Sequence, residues 1–224
     1  MRAKPRIDIW SDVVCPFCYI GETALKQALA ETGVEAEIVH HAFRLQPGEA
    51  PQPVDDMLAR KYGLNGAQVE AQQQRVTDMA AQVGLDFHLA GTLSGDTLDA
   101  HKLLALAADK GVDLLSVLYR AYFTDNRDIF ARETLLGLGE AAGLSRADME
   151  AALSAPGIAA RVAADEQAAR QGGVRGVPFF VVSGAGDERF ALSGAQPVSA
   201  FAEALRRVQP EAAGPVCGPD GCAE

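Results

Sequence analysis

Ile7-Asp8-Ile9-Trp10-Ser11-Asp12-Val13-Val14-Cys15-Pro16-Phe17-Cys18-Tyr19 joins a short apolar run to a helix-forming run that continues to Glu31. The two thiols therefore fall in the first turn of a helix. Unpaired backbone N–H groups and the positive end of the helix dipole favour a thiolate there, and the thiolate is the form that attacks disulfides. Cys15, at the helix mouth, reads as the nucleophile. Cys18 comes nearly one turn later, close enough to close a short disulfide and release whatever Cys15 has captured. Pro16 agrees with this, since proline at the first helical position pre-sets the helix and leaves Cys15 projecting from its mouth. Two other readings stay open. The pair can be half of a zinc site, although such a site needs further Cys or His ligands and His40 and His41 follow a different segment. It can also be two buried, inert thiols.

Composition narrows the function classes. A chain of 224 residues with 48% hydrophobic content can bury a sizeable core as one domain, or as one domain with a large insertion. The formal net charge is −10, with acids spread along the chain, which argues against binding a phosphate backbone. The amino terminus, Met1-Arg-Ala-Lys-Pro-Arg-Ile-Asp8, passes from basic residues straight into a short strand and lacks the apolar core of a signal peptide. No apolar run is long enough to span a membrane. These features predict a cytoplasmic protein, and in that compartment a cysteine pair is more often catalytic or metal-binding than structural.

Along the chain, Arg6 to Asp12 reads as a strand, Pro16 to Glu31 as a helix and Glu35 to Phe43 as a second strand. The segment Gln46-Pro47-Gly48-Glu49-Ala50-Pro51-Gln52-Pro53 reads as a loop. Apolar residues at helical spacing then mark Val54 to Tyr62, Ala67 to Val83, Leu98 to Ala108, Leu114 to Phe123, Glu133 to Ala142 and Arg146 to Leu153, with no strand-like alternation among them. A helix from Ile158 to Gln171 stops at Gly172-Gly173. Strands Pro178 to Val182 and Arg189 to Leu192 follow, and then a helix from Pro197 to Val208. The expected architecture is α/β. Residues 1–46 and 156–210 supply one mixed sheet flanked by helices, residues 47–155 form an all-helical insertion, and residues 211–224 form a flexible tail. The cysteine pair lies at the carboxyl end of the first strand, where α/β sheets bind ligands.

Several stretches carry a family likeness: Ser11-Asp-Val-Val-Cys-Pro-Phe-Cys-Tyr19, His41-Ala-Phe-Arg-Leu-Gln-Pro47, Thr97-Leu-Asp-Ala-His-Lys102, Gly176-Val-Pro-Phe-Phe180 and Leu192-Ser-Gly-Ala-Gln-Pro197. In this order the chain resembles the DsbA-like thiol:disulfide oxidoreductases, a thioredoxin-like fold with a large helical insertion, and most of all their cytoplasmic FrnE-like subgroup. The resemblance implies that the Val177-Pro178 bond is cis and faces the cysteines, where the backbone of Val177 can bind an extended substrate peptide. Read without it, Pro178 can equally just begin a strand. The resemblance also implies exchange with protein thiols and disulfides, no organic cofactor, no resident metal, and recycling by glutathione or a thioredoxin-type reductant. DsbA carries proline-histidine between its cysteines, whereas Phe17 offers neither charge nor donor, so a weaker oxidant is expected.

Two auxiliary residues stand out. Asp8 is a candidate proton carrier because buried acids occur on this strand in thioredoxin-fold enzymes, but its alternation with Ile7 and Ile9 reads as a solvent-facing strand acid. His101 can line the substrate face, or be a packed or half-exposed helix residue. The tail, Glu211-Ala-Ala-Gly-Pro-Val-Cys217-Gly-Pro-Asp-Gly-Cys222-Ala-Glu224, holds a second pair four residues apart, readable as a mobile redox relay, an inert clip or part of a soft-metal site. Two different functions compete with disulfide exchange. One is a glutathione-dependent isomerase or transferase of the kappa type, which generally has serine where this chain has Cys15 and does not need Cys18. The other is a metal-binding redox sensor.

Overall fold

The computed structural model describes residues 4–184, 186 and 188–209; Cys217 and Cys222 lie outside the described residues. The main sheet has four strands in the order β2-β1-β5-β6, with β1 at Arg6–Ser11, β2 at Glu37–Ala42, β5 at Phe179–Ser183 and β6 at Arg189–Ser193. The β1–β2 pair is parallel, joined through α1 (Pro16–Thr32), and β5 is antiparallel to both of its neighbours. All four strands come from the two outer pieces of the chain. Between β2 and β5 run two further strands and seven of the helices among the described residues: β3 (Gln52–Pro53), α2 (Val54–Tyr62), α3 (Gly66–Gln82), β4 (Leu93–Ser94), α4 (Leu98–Lys110), α5 (Leu114–Tyr119), α6 (Arg132–Ala142), α7 (Arg146–Ser154) and α8 (Pro156–Gln171). The last helix, α9 (Val198–Val208), returns to pack on α1.

Two departures from the expected elements have local causes. Within the loop and helical region, Gln52 and Pro53 pair with Ser94 and Leu93 as a two-residue antiparallel ladder, too short to show alternation in sequence. The helix expected over Leu114 to Phe123 is regular only to Tyr119 and continues through Thr124 as a π-helical turn, which keeps Tyr119, Tyr122 and Phe123 all turned inward.

The interior divides into two clusters. One fills the space between the sheet, α1 and α9, where Ile7, Ile9, Leu25, Phe180, Phe201 and Leu205 are essentially inaccessible. Alternation on β1 puts Ile7 and Ile9 on this side, and Phe180 meets Phe201 edge to face at 4.8 Å. The other fills the helical part and reaches the cysteine helix through an aromatic stack: Tyr19 lies 4.8 Å from Tyr119 and 5.7 Å from Phe87, and Phe87 lies 4.7 Å from Phe123. Tyr19 follows Cys18 directly, so the stack that holds the helical part also holds the redox segment.

An ion-pair network ties the helical part to the end of β2. Arg44 Nε donates to Glu166 on α8 at 2.6 Å and its Nη1 to Asp96 at 3.0 Å, while Asp96 also accepts the Gly48 and Leu98 N–H groups at 2.7 and 2.9 Å. At the start of α1, Gly21 faces β5 so closely that an added Cβ would lie 3.0 Å from the Phe180 ring and 3.4 Å from Pro178.

Candidate active site

The site is built where β1 ends. After Ser11 the chain turns so that the Cys15 N–H donates to the Asp12 carbonyl at 3.1 Å, and Cys15 becomes the N-cap of α1 with Pro16 in its first turn. No side chain caps this helix; Pro16 brings no N–H, and the Cys18 N–H donates to the Cys15 carbonyl at 3.0 Å. Opposite stands the turn before β5. The Val177–Pro178 peptide is cis, Pro178 is buried, and the Cys15 Sγ lies 3.6 Å from the Val177 carbonyl oxygen as a hydrogen-bond donor. Both cysteines are free thiols, Cys15 4% and Cys18 1% exposed. Burial pushes the Cys18 thiol well above its ordinary range, the hydrogen bond with Cys15 and the charges of Cys15 and Asp12 add to the rise, and a hydrogen bond from the Asp12 backbone opposes it. The buried sulfur is therefore held as the thiol while the reduced pair waits.

Behind the thiols lies a group of buried polar residues that periodicity does not reveal. Asp12 has no solvent exposure; its Oδ2 accepts the Leu45 N–H at 2.7 Å, and its Oδ1 lies 3.3 Å from His101 Nε2. His101, on α4, is 4% exposed and set against Asp12. Glu22, one turn beyond Cys18, is buried with Lys26 Nζ at 3.0 Å and His40 Nε2 at 3.5 Å. Burial would raise its carboxyl, but His40 and Lys26 outweigh that and hold it below the usual carboxylate range. The Tyr119 hydroxyl is enclosed with no well-formed hydrogen bond; burial, with the charges of Cys18 and Glu22, pushes it well above the ordinary tyrosine range, and the Ser11 hydroxyl beside it offsets part of the rise.

Asp8 is not the solvent-facing acid that its alternation suggested. Arg6 grips it with Nη2 at 2.7 Å, and His41 Nε2 meets its Oδ1 at 2.8 Å while His41 Nδ1 meets Asp165 of α8 at 3.1 Å. The helix that covers this face supplies a partner for His41 from 124 positions away, which no local pattern announces. Trp10 stacks on the His41 ring at 4.6 Å. Burial opposes the charged imidazole, but Asp165 and Asp8 more than compensate and hold His41 above the usual histidine value. An open cleft of about 470 Å³ runs beside β2, lined by Ser11, His40, His41 and Ala42 on the sheet side and by His101, Leu104, Arg161 and Asp165 on the helices. Among the described residues, no group of three or more His, Cys, Asp and Glu side chains is arranged to hold a metal ion, and no helix is long and apolar enough to cross a membrane.

A β-α-β start, a strand entered through a cis-proline and a CxxC pair capping the intervening helix define a thioredoxin-fold dithiol protein. A family model for the DSBA-like thioredoxin domain matches residues 6–206, and the chain belongs to that family of disulfide oxidoreductases. Among solved structures it is similar to the probable DsbA oxidoreductase SCO1869 from Streptomyces coelicolor, at 38% identity and a TM-score of 0.84, covering 98% of this chain and 99% of that one. The cytosolic disulfide reductase DsbM from Pseudomonas aeruginosa with GSH shares the fold at 22% identity and a TM-score of 0.62, covering 90% and 99% of the two chains. The uncharacterized protein YwbO of Bacillus subtilis is 28% identical over 152 residues, 66% of this chain and 70% of its own.

Proposed function

We propose that the chain exchanges disulfides with protein substrates through Cys15 and Cys18. The observation that carries this reading is the pairing of an N-capping Cys15 beside the Val177 carbonyl with a Cys18 buried behind it. In the reducing direction the Cys15 thiolate attacks a substrate disulfide, and one substrate thiol leaves as Cys15 enters a mixed disulfide. Cys18 then attacks Cys15, the second substrate thiol leaves, and the Cys15–Cys18 disulfide remains. Val177 and Pro178 orient the substrate strand, with the Val177 backbone pairing to an extended peptide. Cys18 favours this reading over glutathione-transferase chemistry of the kappa type, which has no use for a second thiol.

Glutathione or a thioredoxin-type dithiol returns the pair to its starting state, and a pair at Cys217 and Cys222 relays electrons to it. The chemistry needs no organic cofactor and no metal. Residues 47–155 act as a separate helical insertion on the thioredoxin-like piece made by 1–46 and 156–210. The test is equilibration in glutathione redox buffers, then alkylation and mass spectrometry that report the two pairs separately. A Cys15–Cys18 midpoint between about −120 and −270 mV supports an exchange catalyst, and Phe17 sets it below the DsbA end of that range. A pair that stays reduced throughout defeats the proposal.

A further inference from the structure

At the start of α4 lies a cavity of about 320 Å³ that the disulfide chemistry does not use. Its apolar wall is made by Leu98, Ile129, Phe130 and Leu135. Three carboxylates, Glu49, Asp96 and Asp99, also line it, and no cationic side chain does. The loop side is held by backbone. The Asp96 N–H donates to the Glu49 carbonyl at 2.9 Å, and Gly95 approaches Pro51 so closely that an added Cβ would lie 3.0 Å from its Cα. The carboxylates differ in what they have left to offer. Asp96 is engaged by Arg44 Nη1 at 3.0 Å and by the Gly48 and Leu98 N–H groups, so it already answers a guanidinium and the positive end of α4. Glu49 and Asp99 are half exposed; Glu49 has Arg60 at 3.8 Å, and Asp99 holds Lys102 at 3.1 Å through one oxygen. Thr97, also in the lining, is 2% exposed, makes no cap to α4, and its Oγ1 has no hydrogen-bond partner among the described residues. An enclosed hydroxyl left unpaired is costly, and this one stands in the wall of a cavity.

We propose that this cavity binds an alkylammonium or guanidinium group carried on an apolar stem. The cation donates one N–H to Thr97 Oγ1 and turns its remaining donors toward Asp99 and Glu49, while the stem lies along Leu98, Leu135 and the Phe130 ring. Other ligand classes fit less well. An anion would meet three carboxylates and no lining cation. A metal ion lacks its ligand set, since among the described residues no three His, Cys, Asp or Glu side chains are arranged to hold one. An apolar molecule would leave Thr97 Oγ1 unpaired. The cation can come from a free small amine or guanidine, or from a lysine or arginine side chain on a protein that the chain engages. The inference goes beyond the disulfide-exchange reading and does not depend on it.

The experiment is titration calorimetry of the full chain at low ionic strength with three probes: N-acetyl-arginine amide, its uncharged isostere N-acetyl-citrulline amide, and n-butylguanidinium. The arginine compound should bind about tenfold more tightly than the citrulline compound, and added salt should weaken it. Thr97→Val keeps the shape of the side chain and loses the hydroxyl, and should weaken binding about tenfold. Glu49→Gln should weaken it about threefold. Either order of the two cations supports the cavity: an arginine amide that binds at least as well as n-butylguanidinium assigns it to a protein side chain, and a weaker one assigns it to a free cation. The proposal is overturned if neither cation binds by about 10 mM, if arginine and citrulline compounds bind alike, or if both variants match the parent. Should Thr97→Val not fold, the citrulline comparison and Glu49→Gln decide by the same readings. Both variants should keep the parent rate of disulfide exchange, so a failed titration leaves that reading standing, and a parent without exchange activity leaves this one standing.

Discussion

The two interior clusters hold opposite ends of the cysteine helix and are built on different rules. The cluster under the sheet takes Ala24, Leu25 and Ala28 from the later turns of α1 and, with Ile7, Ile9, Phe180, Phe201 and Leu205, contains no ionisable side chain. The cluster of the helical part takes the first turns of α1 and encloses Cys15, Cys18, Tyr119 and Tyr122, with Asp12 and His101 buried beside them. One end of α1 is held by packing alone, and the other accepts buried polar groups at a cost in stability. The contrast teaches that stability and reactivity are separated along one helix, so substitutions at the two ends should fail in different ways.

The largest expected effect is chemical. Cys15→Ser should abolish exchange, by at least about 10³-fold in turnover, and leave the melting temperature nearly unchanged. At the other end, Phe201→Ala should cost about 3–5 kcal/mol in denaturant unfolding while the thiol reactivity of the remaining folded protein stays at the parent level. A Phe201→Ala protein that is stable but slow would break the comparison. Arg44→Ala, which strands Glu166 and Asp96 between the two parts, should cost about 2–4 kcal/mol by the same measurement.

His41→Asn tests the cluster at the sheet edge, with an expected loss of about 1–2 kcal/mol that depends on pH. His41 is raised in the folded state, so its contribution is complete below its unfolded value of about 6.5 and disappears as pH climbs through the higher folded value. Asp8 is lowered, because burial, which raises it, is outweighed by Arg6 and His41; its contribution is present above about pH 4 and is lost as pH falls through the folded value. The melting-temperature gap between the parent and His41→Asn should therefore be widest between about pH 4 and 6.5 and should close on the alkaline side. The smallest effect is Tyr119→Phe, which removes a buried hydroxyl with no well-formed hydrogen bond beyond the nearby Ser11 and should change stability by no more than about 1 kcal/mol. A marked loss there would mean that the hydroxyl is engaged after all, and that the second cluster carries fewer polar costs than the contrast assumes.

How far these features could be read from residues follows the range of the forces that make them. The Cys15 and Cys18 pair, the alternation of Ile7 and Ile9 and the helical spacing of the insertion are short-range patterns, and the four sheet strands fall within a few residues of their expected limits. Asp12 sits in a turn between a strand and a helix, where no period applies, and its burial is decided by Leu45 and His101, 33 and 89 positions away. Asp8 was misread for the same reason, since Asp165 reaches its partner His41 from α8. The Ser11-Asp-Val-Val-Cys15 match placed Asp12 within the family pattern, but only the fold buries it against Leu45 and His101.

Gly21 carries a consequence of another kind. An added methyl group would lie 3.0 Å from the Phe180 ring and 3.4 Å from Pro178, so those side chains would have to give by a few tenths of an ångström, and this glycine works as a gauge for how closely the thiol-bearing helix approaches the peptide-facing turn. A single added carbon would act as a thin shim at that contact without touching Cys15 or Val177. The fit of the active site is thus shaped in part by a residue that has no side chain.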